Sequence, residues 1–233
     1  MTDNGAHPLA EGFALQVERW ARALGDDAAT AASARQAAHA LSLATGDGHV
    51  CLPLADLPDS GEMRRVLLSS QVVGTPAAPG ACPLILDADD RLYLHRHFDA
   101  ERRLAQRLMR AAAAPPAAAD AATQQRLNAL FGQEAGPDWQ KIAAALALRQ
   151  RLVVISGGPG TGKTTTLVNL LACLIEQNPK ARIALAAPTG KAAARMSEAL
   201  RQRAGHLPPA LRERLPAQAA TVHRLLGAFP GGF

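Results

Sequence analysis

Between Leu152 and Leu174 the chain passes from a short apolar run, through a glycine-rich octet, into a helical repeat. Few folds accommodate that succession. Leu152-Val153-Val154-Ile155 is β-branched and apolar enough for a buried parallel strand, and Leu167, Leu170, Leu171 and Leu174 recur at helical spacing. The octet between them reads Gly157-Gly158-Pro159-Gly160-Thr161-Gly162-Lys163-Thr164, a complete Walker A pattern. Its glycines let successive backbone N–H groups turn inward around phosphate oxygens, where a side chain would not fit. The helix opening at Gly162 adds the positive end of its dipole. In such a loop Lys163 reaches the β- and γ-phosphates as a point charge, and the Thr164 hydroxyl takes one position on Mg²⁺. A dinucleotide fingerprint is excluded: counted from Gly158, the last glycine of that pattern falls on Lys163.

Composition bounds the rest. The 233 residues are 48% hydrophobic but only 3% aromatic, so cores are expected to be packed with Ala and Leu and to be mostly helical. Cys51, Cys82 and Cys173 are widely spaced and form no CxxC pair, which argues against a zinc ribbon or a disulfide framework and for reduced core thiols. No basic-plus-apolar signal opens the sequence, and no apolar run approaches the roughly 18 residues of a membrane helix, so a cytoplasmic location is expected. The net charge of +5 is unevenly spread: residues 1–130 hold 12 Lys and Arg against 15 Asp and Glu, and residues 131–233 hold 13 against 5. A basic half beside a phosphate loop fits a polyanionic partner, most simply nucleic acid; a solvated arginine-rich helix face has the same composition.

In the first half, residues 11–45 read as helices, with Phe13, Val17 and Trp20 on one apolar stripe. A short run follows at His49–Leu54, and Leu84-Ile85-Leu86 and Leu92-Tyr93-Leu94 flank a turn at 87–90, which predicts a small β-hairpin leading into a helix over 99–110. Asp87, Asp89 and Asp90 are read as turn chemistry rather than metal ligands. His95 and His97 are expected on one side of a strand, with no third ligand nearby to complete a metal site. The alanine tract 111–122 is broken by Pro115-Pro116 and is a candidate linker, with a domain boundary near 112–135.

The second half adds three segments. Pro137-Asp138-Trp139-Gln140 reads as a capped helix start, and the Gln140 amide could pair with both edges of adenine or simply face solvent. Arg182–Ala187 reads as a second parallel strand that turns through Pro188-Thr189-Gly190-Lys191 into a helix over 192–203. Thr189 suits a helix cap, and free amides beside Lys191 equally suit a DNA phosphate. Two of the chain's four lysines, Lys163 and Lys191, thus sit in Thr-Gly-Lys triplets at equivalent strand ends. Thr221-Val222-His223-Arg224-Leu225-Leu226-Gly227 reads as a short capped helix offering polar side chains to a nucleic-acid backbone.

Together, Gln140, the loop from Gly157 to Thr166, Ala187–Ala193 and Thr221–Gly227 closely resemble the RecD family, the alpha subunits of exodeoxyribonuclease V, the RecBCD helicase-nuclease. His49–Leu54 and Pro83–Leu86 extend the likeness to the domain by which that family docks on its RecC subunit. The resemblance implies an α/β chain: a mainly helical N-terminal docking domain with a small β-hairpin over 1–125, then an incomplete RecA-like P-loop NTPase domain with parallel strands over 126–233. It also implies ATP and Mg²⁺ as cofactors, held by Gln140, Gly157, Gly158, Pro159, Gly160, Thr161, Gly162, Lys163, Thr164 and Thr165, with Lys163 and Thr164 in catalytic roles. It implies single-stranded DNA contacts from Thr189, Gly190, Lys191, Thr221, His223 and Arg224, RecB-like and RecC-like partners, and five-prime to three-prime helicase action in double-strand-break repair.

Residues 165–233 contain no apolar run ending in Asp-Glu, so the family's Walker B acid, second RecA-like domain and arginine finger are missing from this sequence. Phosphoryl transfer needs a metal-holding acid and a cation at the transition state, so hydrolysis by this chain alone is not expected. A non-catalytic fragment that docks on partner subunits is the alternative expectation, and a phosphotransferase of another P-loop class is a third.

Overall fold

The computed structural model describes residues 7–132 and 136–228. The chain divides into two compact units, Met1–Arg107 and Leu108–Phe233.

In the first unit, α1 (Pro8–Ala23) and α2 (Ala28–Gly46) pack against each other along Ala10, Ala14, Val17 and Ala21 on one side and Ala31, Ala34, Ala38 and Leu41 on the other. Alanines there allow close approach of the two backbones. The Asp27 carboxylate caps α2, accepting the Thr30 N–H at 2.7 Å, and Arg35 ties α2 to Glu11 (2.6 Å) and Glu18 (3.3 Å) of α1. Beyond them lie β1 (Cys51–Pro53), α3 (Ser60–Ser69), β2 (Val73–Gly74), β3 (Leu84–Leu86), β4 (Arg91–Leu94) and α4 (His95–Ala112). The expected hairpin, β3 with β4, is the centre of a four-stranded sheet in the order β1-β4-β3-β2. β1 joins it antiparallel and β2 parallel, an extension that strands of two and three residues give no period to announce. Leu52, Leu54, Leu67, Val72, Leu84, Leu86 and Leu92 close the core beneath α2.

The aspartate cluster is turn chemistry, as expected. Asp87 accepts the N–H groups of Asp89 and Arg91, both at 2.9 Å, and the Arg91 Nε–H at 2.8 Å, while Asp90 takes a left-handed φ of 58°. The two histidines depart from expectation. The strand ends at Leu94, so His95 and His97 lie in the first turn of α4, where residues two apart point about 200° away from each other. Among the described residues no group of three His, Cys, Asp or Glu could hold a metal ion, and no helix is long and apolar enough to cross a membrane.

In the second unit, the proline-broken tract is tied down at Ala117, whose N–H donates to the Arg149 carbonyl and whose carbonyl accepts the Arg149 Nε–H, both at 2.8 Å. The elements are α5 (Ala121–Phe131), α6 (Trp139–Arg149), α7 (Lys163–Gln177), β5 (Ala186–Ala187), α8 (Gly190–Arg203), α9 (Pro209–Arg212), β6 (Ala220–Thr221) and α10 (Val222–Leu225). α7 is the central helix. Val168, Leu171 and Ala172 pack with Leu200, Ala204 and Leu207, while Leu170 and Cys173 pack with Leu127 of α5 and Ala144 of α6. Cys173 is buried and free, and Cys51 and Cys82 are half-buried and free.

Two sequence expectations are corrected here. Leu152–Ile155 forms no strand, and Val154 is 84% exposed. A strand is a paired object, and among the described residues nothing pairs with this run. The strand expected over Arg182–Ala187 contracts to β5, which pairs in parallel with β6 through Ala186 opposite Ala220 and Ala187 opposite Thr221. The unit is thus mixed helix and sheet with parallel pairing, as an α/β reading requires.

Candidate functional site

The phosphate-loop sequence is positioned by α7. Gly160 and Gly162 hold φ of 78° and 77°, left-handed values that a residue with a Cβ adopts only with strain. Gly162 is the residue before the helix, so the N–H groups of Lys163, Thr164 and Thr165 lie in the first turn, where no intrahelical carbonyl is available to them. The Thr161 hydroxyl donates to the Gly158 carbonyl at 3.0 Å, closing the loop across its width. The Lys163 ammonium curls back into this ring, donating to the carbonyls of Gly157 (2.6 Å) and Gly158 (2.5 Å), with Thr161 Oγ1 at 3.4 Å. The charge therefore faces the space that the loop encloses. Thr164 is half-buried beside it. This cradle suits a phosphate chain, since it has glycines where a Cβ would intrude, unshared amides at a helix start and one inward cation.

Gln140 comes to the same loop from α6. Asp138 caps that helix by accepting the N–H groups of Gln140 (2.9 Å) and Lys141 (3.0 Å), which fixes the first turn. From there the Gln140 amide donates to the Thr161 carbonyl at 3.4 Å. A Cβ placed on Gly162 would lie 2.5 Å from Gln140 Nε2, so Gly162 is held to glycine by its backbone angle and by this neighbour together.

The other two segments meet through the β5–β6 pair. Thr189 caps α8 by accepting the Ala192 N–H at 3.2 Å, and Thr221 caps α10 by accepting the Arg224 N–H, also at 3.2 Å. Because Ala187 stands opposite Thr221, the two capped helix starts emerge side by side from adjacent parallel strand ends. Gly190, Thr221 and Arg224 line one groove of about 730 Å³ with Ser197, Arg201 and Arg212. Thr189, Lys191 and His223 are not part of that lining; Lys191 and His223 stand exposed close to it in the chain. Arg201 and Arg212 escaped the motif reading, and only the basic balance of this half hinted at them.

Charge is distributed accordingly. Among the described residues, every Lys or Arg in an ion pair belongs to residues 22–126, and no Lys or Arg from 141 to 224 pairs with a carboxylate. Several donate instead to backbone carbonyls, Lys141, Arg149, Arg212 and Arg214 among them, whereas Lys191, Arg195, Arg201 and Arg224 make no such side-chain bond among the described residues and suit an external anion. Cys173 takes no part: burial pushes its thiol up to about 11, away from the thiolate that reacts.

A glycine-lined loop at a helix start, beside parallel strands ending in capped basic segments, is consistent with a P-loop fold. A family described as AAA domain matches residues 140–232, which covers the loop and both segments. The chain is 41% identical over 189 residues to the RecBCD enzyme subunit RecD of Mycolicibacterium smegmatis, an alignment covering 78% of this chain and 32% of that one. It is 41% identical over 200 residues to RecD of Mycobacterium tuberculosis, covering 82% and 32%. It is also 35% identical over 149 residues to the ATP-dependent RecD2 DNA helicase of Deinococcus radiodurans, covering 62% and 18%. The chain is therefore RecD-like, fitting an N-terminal portion of that subunit. It spans about a third of the length of the RecD proteins it matches over most of its own length.

Proposed function

We propose that the chain is the ATP-binding N-terminal part of a RecD-type five-prime to three-prime DNA helicase subunit of exodeoxyribonuclease V, acting in double-strand-break repair and recombination. The observation that carries this reading is the convergence on one unit of the phosphate loop, Gln140 against it, and the two basic strand-end segments brought side by side by the β5–β6 pair. In this reading residues 1–125 dock on RecB-like and RecC-like subunits, and residues 126–233 are a partial RecA-like domain in the cytoplasm.

ATP supplies the phosphoryl group and Mg²⁺ neutralises its charge when both are bound. The chain's own part is to hold them. Lys163, which now donates to the Gly157 and Gly158 carbonyls, would hold phosphate oxygens together with the amides of the first turn of α7, Thr164 would offer its hydroxyl to the metal, and Gln140 would offer its amide to adenine. Single-stranded DNA is held by Thr189, Gly190 and Lys191 on one side and Thr221, His223 and Arg224 on the other. Such contacts go to the phosphate backbone and carry no sequence preference.

A second reading, nucleotide binding without turnover in a docking fragment, is favoured by the placement of carboxylates. Among the described residues of this unit Glu176 and Glu213 line grooves away from the loop, Glu198 accepts from Gln202, and Asp138 is engaged in capping α6. ATP turnover by the purified chain, with and without oligothymidine, is the first test of the two. DNA-stimulated turnover that Lys163→Ala abolishes establishes the helicase motor and rejects the docking fragment. Lys163-dependent ATP binding with no turnover is the outcome of either reading for this chain alone, and the intact mass of the native protein then decides: several tens of kilodaltons above 24.3 kDa gives the helicase subunit, and a mass near 24.3 kDa gives the docking fragment.

A further inference from the structure

The helix that carries the phosphate loop is fastened at a place that no motif marks. The Arg203 guanidinium, on the last residue of α8, donates through Nη1 to Thr165 Oγ1 at 3.3 Å, two residues after Lys163. Three residues further on, His206 sets Nδ1 2.8 Å from the Arg203 carbonyl and Nε2 2.8 Å from Asn169 Oδ1. Asn169 is only 4% exposed, and its Nδ2 donates to the Leu130 carbonyl at the end of α5 at 3.0 Å, so a polar side chain inside an apolar face is fully partnered. Thr165 and Asn169 are four residues apart and share one face of α7. One side chain from the end of α8 and one from the turn that follows it at Ala204–His206 therefore grip two successive turns of the loop helix, the first of them the turn whose amides face the loop. The apolar contacts of Val168 and Leu171 with Leu200 and Ala204 join the same elements, and the polar grip adds directional bonds to that packing.

We propose that Arg203 and His206 are positioning residues of the nucleotide site: a latch that sets the axial register of α7, and with it the Thr164 and Thr165 hydroxyls, against α8. This rests on the reading of the loop as an ATP site. α8 also lines the basic groove from Gly190 to Arg201, so the latch joins the element that borders the groove to the one that carries the loop. Neither residue touches the loop's enclosed space. Arg203 acts through Thr165, and His206 acts through Asn169 Oδ1 and the Arg203 carbonyl, two acceptors that the ring spans only when each of its nitrogens carries a proton.

The test is a double-variant cycle on the whole chain, read with a fluorescent N-methylanthraniloyl-ATP and Mg²⁺. Arg203→Ala weakens binding roughly three- to tenfold, the range for one hydrogen bond to a charged donor in a partly solvated place. Arg203→Lys, which keeps a donor, recovers part of the loss. Thr165→Val weakens binding by a similar factor, and Arg203→Ala adds nothing further in the Thr165→Val background. Unchanged affinity for Arg203→Ala, or effects of the two that multiply, overturns the latch. Amide hydrogen exchange across 163–169 reads it without nucleotide. Faster exchange there in Arg203→Ala and His206→Ala, with α5 and α6 unaltered, supports the latch, and unchanged exchange overturns it. If the parent chain binds no nucleotide, the reading of the loop falls and the exchange result alone decides the latch.

Discussion

Gly162→Ala places one methyl group where two independent constraints meet. The backbone at Gly162 has φ of 77°, and a Cβ there lies 2.5 Å from Gln140 Nε2 and 3.1 Å from Gln140 Cδ. Holding a non-glycine residue in the left-handed region costs about 1–2 kcal/mol. The Gln140 contact adds less, because the obstacle is the far end of a flexible side chain that can rotate away, at the loss of its 3.4 Å hydrogen bond to the Thr161 carbonyl. The torsional part dominates, and the loop relieves it by leaving the cradle geometry. Since 1.4 kcal/mol is a tenfold change in an equilibrium constant, nucleotide affinity falls about tenfold or somewhat more. Equilibrium titration of the fluorescent ATP analogue measures this, with urea unfolding as the parallel readout of stability. In a Gln140→Ala background the steric part disappears, and Gly162→Ala retains most of its effect. If Gly162→Ala binds nucleotide within twofold of the parent and unfolds at the same urea concentration, the left-handed loop is wrong and the argument for the cradle fails with it.

Other consequences are as direct. Asp138→Ala frees two amides at the start of α6 and lowers stability by about 1 kcal/mol in urea unfolding; an unchanged midpoint contradicts the cap. Burial raises the Cys173 thiol from 9.0 to about 11 and the Tyr93 phenol from 10.0 to about 12, so each folded form keeps its proton longer than the unfolded chain does. That stability is fully present below about pH 9 and is lost as pH rises towards 12, and a pH series of thermal melts with a flat alkaline limb refutes it. The carboxyls of Asp27 and Asp120 are lowered chiefly by the backbone N–H groups of Thr30 and Thr123, so their contribution runs the other way: present above the ordinary carboxylate value of 3.8 and lost as pH falls through the folded values. Arg224→Ala and Lys191→Ala each weaken binding of labelled oligothymidine and reduce the slope of log affinity against log salt by about one ion, read by fluorescence anisotropy; an unaltered slope removes that residue from the proposed phosphate contacts.

Much of the site was legible because its chemistry is local. Glycines at 160 and 162, a lysine and threonines at the helix start, and an aspartate before Trp139 each announce a backbone geometry that neighbouring residues alone enforce. What escaped depends on partners distant in the chain. That Ala187 pairs with Thr221, bringing the two basic segments together, follows from a two-residue strand pair with no period to read. The grip of Arg203 and His206 on Thr165 and Asn169 spans 38 and 37 residues, and a polar residue on an apolar helix face gives no hint of its acceptor. The strand expected at Leu152–Ile155 failed for the complementary reason, because β-branched composition states a preference and pairing decides. The two histidines went astray by a single boundary: ending the strand at Leu94 turns a shared side into opposite sides.

The central claim is that the loop from Gly157 to Thr165 holds a nucleoside triphosphate with its metal. Titration calorimetry of ATP into the purified chain with Mg²⁺ tests it most directly, repeated with Lys163→Ala and with chelator. Saturable one-to-one binding is expected, weakening strongly when Lys163 is replaced or Mg²⁺ is removed. Heat that does not saturate, or binding that Lys163→Ala leaves intact, contradicts it.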